Sequence, residues 1–228
     1  MKRLLLRWSP VFPKESRGNS ISISVSNIFL HAYVNFFFHR TLPEITHRVY
    51  FEIDVDGEHI GKLVFGLFGK STPRTVENFR TLATCPEGAV GQKSGKPLCY
   101  KGTVFHRIIP DFFFQGGDFT HGTGVGGESI YGGTFEDENF NVNHNRPHML
   151  TMSNCGERDC NGSQFLVTFS KTQWLNDKHV AFGVLVEGHA LIEKIEAAGT
   201  YGGRPRKTVT IIECGEEPLK DEDKETHY

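Results

Sequence analysis

Apolar and polar positions alternate from residue 49 onward. In VYFEIDV, Val49, Phe51, Ile53 and Val55 fall on one side and Tyr50, Glu52 and Asp54 on the other, the period of a half-buried strand. Asp56-Gly57 supplies a tight turn, and GKLVFGLF returns with Leu63, Phe65 and Leu67 on one face, which predicts a hairpin. Thr72-Pro73 then reads as a cap and a first-turn proline. Val76, Phe79 and Leu82 follow at helical spacing, predicting a helix of about ten residues.

Beyond that helix the chain turns glycine-rich. CPEGAVGQKSGKPLCYKG reads as a loop, and FQGGDFTHGTGVGGESIYGG, with eight glycines, as a second one. Short β-rich runs follow, notably SQFLVTF and VAFGVLVEG. Leu191, Ile192, Ile195 and Ala198 then recur at helical spacing, with Gly199 as the stop, and TVTIIEC is a last strand. Many short strands, two helices and frequent glycine turns predict a mainly β fold, a closed antiparallel barrel rather than alternating β/α units. The ending EEPLKDEDKETHY is charged and without apolar period, so residues 216–228 read as a disordered tail.

The first 48 residues differ. They carry seven Lys/Arg against Glu15 and Glu44, leaving net −7 on the rest of a chain whose total is −2. Three readings compete: a transit peptide, a disordered extension, and a membrane anchor. The anchor is disfavoured because His31, Asn35 and His39 interrupt an apolar run shorter than the roughly 20 residues a span needs. Residues 49–215 then form one domain, for which the length is ample. The overall charge and the absence of a basic block interleaved with aromatics argue against nucleic acid. Five cysteines, Cys85, Cys99, Cys155, Cys160 and Cys214, make an odd set without metal-finger spacing. A reducing compartment is the default, hence a cytoplasmic location, or mitochondrial if the first 48 residues are a transit peptide.

FHRIIPDFFFQGGDF carries the most chemistry. A permanent cation, Arg107, lies among Phe105, Ile108, Ile109, Phe112, Phe113 and Phe114, with the amide Gln115 just beyond. A charge in so apolar a run needs a partner or a purpose; the alternative is a strand whose arginine snorkels to water. With FHRIIP, QGGDF, GGESIYGG, NGSQF and WL..KHV.FG in this order and near this spacing, the chain resembles the cyclophilins over about residues 49–215.

The resemblance implies an eight-stranded antiparallel barrel capped by two helices, and peptidyl-prolyl cis-trans isomerase activity without cofactor or metal. It also implies a groove for proline-containing peptides, client proteins and cyclosporin, in a monomer. The family's catalytic arginine falls on Arg107. Its proline pocket falls on Phe112, Phe113, Gln115, Leu166, Leu175 and His179, while Ser153, Asn154, Gln164 and Trp174 match positions lining the peptide groove and cyclosporin site. Two departures stand out: Phe113 replaces the usual methionine and Leu166 the usual phenylalanine. The loop CGERDC, with Cys155 and Cys160, is one residue longer than usual. KSGKPL resembles a divergent-loop subgroup in which two cysteines and a glutamate are linked to redox control. Cys214 and Glu128 match in place, while Cys85 is displaced by about two residues.

Other motifs carry less. Gly122, Gly124 and Gly127 match GxGxxG, yet no strand runs directly into them and no helix follows, so a loop beside the groove is favoured over a dinucleotide site. His144 and His148 in HNRPH read as surface loop rather than metal ligands. Asn161-Gly162-Ser163 is a formal glycosylation sequon inside the groove-forming segment, and is discounted. A proline-peptide binding module with little turnover is the competing function.

Overall fold

The structure, a computed structural model, describes residues 42–224. Up to residue 41, the readings offered for the N-terminal segment lie outside the described residues. The predicted hairpin is β1 (His47–Val55) and β2 (Glu58–Leu67), paired antiparallel. Val49, Phe51 and Ile53 are fully buried, as their alternation required. Helix α1 (Pro73–Thr84) follows, turning Val76, Phe79 and Leu82 inward.

Thr72 occupies the N-cap position but makes no cap hydrogen bond with its side chain. Instead the Glu138 carboxylate, from a distant loop, accepts the N–H groups of Arg74 (3.0 Å) and Thr75 (2.9 Å). A carboxylate suits that place because the first-turn N–H groups are unpaired and the helix dipole is positive there.

Six further strands complete one antiparallel sheet: β3 (Arg107–Ile109), β4 (Phe113–Gly116), β5 (Met149–Asn154), β6 (Asn161–Thr168), β7 (Ala181–Glu187) and β8 (Val209–Glu217). Their order is β3-β4-β6-β5-β7-β2-β1-β8. The strand ladder therefore ends at β3 and β8 and does not itself close. The gap is bridged by the residues just before β3: Gly102 N–H donates to Ile211 O (2.7 Å), Phe105 N–H to Val209 O (2.9 Å) and Ile211 N–H to Thr103 O (2.9 Å). The curled sheet is filled by aromatics; Phe51, Phe79, Tyr100 and Phe165 pack with ring centroids 5.1 to 5.9 Å apart. Each such ring taken from water contributes roughly 1.5–3 kcal/mol. Helix α2 (His189–Ala197) packs on β2 and β3.

The C-terminal boundary differs from expectation. β8 runs to Glu217, and a short helix α3 (Asp221–Lys224) follows, whose Asp223 is buried. Both acids meet Arg48, which belongs to β1 rather than to the basic extension and is only 1% exposed. Its guanidinium donates to Glu217 (2.9 Å), to both oxygens of Asp223 (3.0 and 3.1 Å) and to Glu187. A charge at a buried strand position requires such partners, so at least part of the tail is ordered by a cation 169 to 175 residues away in sequence.

His144 also departs from the surface-loop reading. It is fully buried, its ring nitrogens 3.0 Å from Asn176 Oδ1 and 3.1 Å from Thr151 Oγ1. Asn161 is equally buried, its side-chain amide donating to Asp137 (2.8 Å) and Phe135 O (3.3 Å). Among the described residues no helix is long and apolar enough to cross a membrane.

Candidate active site

Strands β3 and β4 are short and adjacent, and their register sets Arg107 opposite Gln115. Phe113, two residues before Gln115, joins Leu166 of β6 and Leu175 in a buried apolar cluster, with Phe112 and Ile109 packed against it. Leu175 comes from a single 3₁₀ turn, Gln173–Leu175. The Arg107 side chain is exposed, and its guanidinium carbon lies 5.2 Å from the Phe113 ring centroid. It therefore stands over this cluster instead of snorkelling away from it. Gly203, at φ +88°, passes beside the arginine stem; a Cβ there would come within 3.1 Å of Arg107 Cγ. Among the described residues no carboxylate pairs with Arg107, which leaves its donors facing solvent and groove.

Trp174, 58% exposed, packs at a tilt against Phe112 with ring centroids 5.6 Å apart and forms the outer rim. His179 is half-buried and its Nδ1 lies 3.0 Å from Met152 O. Burial pushes its pKa down, outweighing that hydrogen bond, so the ring is neutral at physiological pH.

Beyond Gln115 the groove becomes polar. Gln115 Nε2 donates to Ser153 Oγ (3.0 Å) and to Gln164 Oε1 (2.8 Å), and Gln164 Nε2 donates to the carbonyls of Gly124 (2.9 Å) and Gly126 (2.8 Å). Asn154 Nδ2 donates to Lys178 O (2.9 Å). These groups line a cavity of about 240 Å³ that also meets Cys155 and Cys160. Sequence reasoning overlooked the residue that shapes its wall. Asp118 is buried and accepts N–H groups from Thr120, His121, Thr123, Gly124 and Gly126 at 2.9 to 3.2 Å. Burial alone would raise its pKa, but the hydrogen bonds prevail and hold it well below the carboxylate range. One carboxylate beside a run of glycines was the available signal. Gly127, at φ +90°, passes directly under Ser163 Oγ, where any Cβ would collide.

Comparison with known proteins decides the family. Residues 50–216 match the family described as Cyclophilin type peptidyl-prolyl cis-trans isomerase/CLD. A relative from Arabidopsis thaliana, named Peptidyl-prolyl cis-trans isomerase CYP21-1, is 50% identical over 183 residues, 80% of each chain. The chain belongs to the cyclophilins. Its reaction is cis/trans isomerisation of the peptide bond preceding proline.

In this cyclophilin the two departures from the usual pocket share one cluster. The larger side chain at 113 meets the smaller one at 166, so volume is redistributed rather than added. The cysteines depart from expectation more strongly. Cys85, envisaged with Cys214, is bonded to Cys99, and Cys155 is bonded to Cys160. Cys214 remains a buried thiol with its Sγ 3.6 Å from Cys85 Sγ. The sulfurs of Cys85, Cys99 and Cys214 all lie within 4.8 Å of one another, the one metal-spaced group among the described residues. With two of them in a disulfide, a single thiol is left to bind. Glu128 accepts the N–H groups of Lys93 (3.0 Å) and Ser94 (2.8 Å) and the Ser94 hydroxyl, fastening the KSGKPL loop to the glycine-rich wall.

Proposed function

We propose that Arg107 is the catalytic group of this isomerase and that Phe112, Phe113, Leu166 and Leu175, with His179 alongside, receive the proline ring. The observation that carries the assignment is the position of the Arg107 guanidinium over Phe113, at the mouth of the apolar cluster and opposite Gln115. Resonance gives the peptide bond a rotational barrier of about 18–20 kcal/mol. As the bond twists, resonance is lost and the prolyl nitrogen regains a lone pair. A donor aimed there binds the twisted state better than either planar one.

Arginine suits the role because its charge is permanent and its donors lie in a fixed plane. Its hydrogen bond to the reacting amide supplies roughly 1.5–3 kcal/mol. The rest comes from the greasy pocket, which fixes the ring and strips water from the preceding carbonyl, whose charge separation falls on twisting. Gln115, Ser153, Asn154 and Gln164 hold the peptide backbone, and Trp174 completes the rim that cyclosporin also contacts. The substrates are proline-containing segments of client proteins during folding, bound by a monomer in the cytoplasm. N-terminal sequencing of the mature protein tests that location: cleavage ahead of β1 replaces it with an organelle.

A protease-coupled proline-peptide assay with and without cyclosporin tests the whole reading. Acceleration abolished by cyclosporin supports it, whereas peptide binding without acceleration makes the protein a binding module instead.

Redox control through Cys85, Cys214 and Glu128 is a second reading, favoured by the 3.6 Å approach of the two sulfurs and by the Glu128 clamp on the adjoining loop. Isomerase activity compared between oxidised and reduced protein tests it, with Cys85→Ser/Cys214→Ser as control. Equal rates in all samples would end it.

A further inference from the structure

Cys155 and Cys160 sit at the mouth of the β5–β6 hairpin, and both line the polar cavity that continues the groove past Gln115, Ser153 and Asn154. Cys155 is exposed and Cys160 partly so, whereas Cys85 packs against the main core. Access to a sulfur is a principal determinant of thiol–disulfide exchange, and exposed disulfides are the labile ones.

The hairpin does not depend on this bridge. Cys155 N–H donates to Cys160 O (3.3 Å), Asp159 and Asp137 exchange backbone-to-carboxylate hydrogen bonds at 3.1 and 2.9 Å, and Asn161 is tied to Asp137. Arg158 also lies over the Phe140 ring at 4.4 Å. A bridge spanning five positions removes little chain entropy compared with a long-range one. Opening it therefore leaves both sulfurs near their places. No charged side chain lines the cavity, so a small uncharged group such as a cysteine side chain fits it.

We propose that the Cys155–Cys160 pair exchanges disulfides with client polypeptides that carry a cysteine within a few residues of the bound proline. The proposal rests on the groove being the proline-peptide site. In the first step the client thiol loses its proton to water and its sulfur attacks Cys155 Sγ. A client–Cys155 disulfide forms, the Cys155–Cys160 bond breaks, and its electron pair leaves on Cys160 Sγ, which takes up a proton. The client sulfur is oxidised and Cys160 is reduced, so no outside oxidant enters. A second client thiol attacking the client sulfur of the mixed disulfide releases Cys155 and leaves the client with an internal disulfide. In the dithiol state the pair runs the same steps backwards and reduces a client disulfide.

The test uses the full oxidised chain and a peptide with a reduced cysteine two residues before proline. Controls are the same peptide with alanine for proline, and a cysteine-free proline peptide. Products are trapped by acid and alkylation, and the modified cysteine is located by non-reducing mass mapping. The expected result is an adduct on Cys155 that forms at least tenfold faster with the proline peptide than with the alanine peptide. Excess cysteine-free proline peptide should suppress that difference, and Cys155→Ser should abolish the adduct. Equal rates for the two peptides, an adduct confined to Cys85 or Cys99, or no adduct overturns the proposal. Isomerisation of the cysteine-free peptide is measured in parallel. A chain that isomerises but does not exchange refutes the exchange alone, and one that does neither removes the underlying reading of the groove.

Discussion

Replacing Arg107 by alanine separates the catalytic contribution of the guanidinium from its contribution to binding. The side chain is exposed, makes no ion pair among the described residues, and touches the pocket through the Phe113 ring at 5.2 Å. Losing that cation–π contact removes about 0.5–1 kcal/mol of support from the pocket wall, which limits the loss in peptide affinity to roughly two- to fivefold. Losing a charged donor to the twisted amide costs about 1.5–3 kcal/mol, which corresponds to roughly 10- to 150-fold in kcat. Turnover should therefore fall at least about twofold more than binding weakens. Arg107→Lys retains a charge without the fixed planar fork and should recover only a small part of the loss. Exchange-broadened NMR of a proline peptide at saturating and sub-saturating enzyme gives kcat and Kd separately, and a urea midpoint near that of the parent protein excludes unfolding. Parallel losses in kcat and affinity, or an unchanged kcat, would refute the placement of the guanidinium on the reacting nitrogen.

Three other outcomes follow from the same contacts. Arg48→Ala strands Asp223 and Glu217 beneath β1 and should cost about 3–5 kcal/mol in urea unfolding, the range for breaking a buried pair; a loss under 1 kcal/mol would show that water replaces the guanidinium. Acid should weaken the fold through this network. Glu187 is held below its ordinary value by hydrogen bonds from Lys220 and Arg48, and for Glu217 burial is outweighed by Lys62 and Arg48. Depressed carboxyl pKa values stabilise above the unfolded value and release that stability as pH falls below it, so the urea midpoint should drop below about pH 4.5, and less so in Arg48→Ala. Finally, burial, reinforced by the Glu213 charge, pushes the Cys214 thiol up to about 11. The Cys85–Cys99 bond should therefore shuffle onto Cys214 slowly at pH 7 and about tenfold faster per pH unit until near 11, as followed by mass mapping; a pH-independent rate would mean that the thiol is not the attacker.

Much of the fold was legible because its signals are local. The alternation of Val49, Phe51 and Ile53 and the helical spacing of Val76, Phe79 and Leu82 each reflect which side of one element meets the core. Arg107 stood out for a similar reason, since a permanent charge among phenylalanines is anomalous within fifteen residues. The pocket was not legible from periodicity. Leu166, Leu175 and His179 were assigned through ordered motifs, because nothing local marks residues from β6 and a 3₁₀ turn as neighbours of Phe113.

Sequence by itself determined the strand and helix faces, the cationic residue beside an apolar run, and the family to which the whole arrangement belongs. Tertiary structure decided what pairs with what. Glu138 caps a helix that Thr72 was expected to cap, Asp223 turns a charged ending into a partner for buried Arg48, Asp118 gathers a glycine loop, and Cys85 joins Cys99 rather than Cys214. Periodicity records the direction a side chain faces, a property of its own backbone. Pairing of charges, carboxylate caps and sulfurs depends on distances across the sheet, and these exist only once the chain has closed on itself.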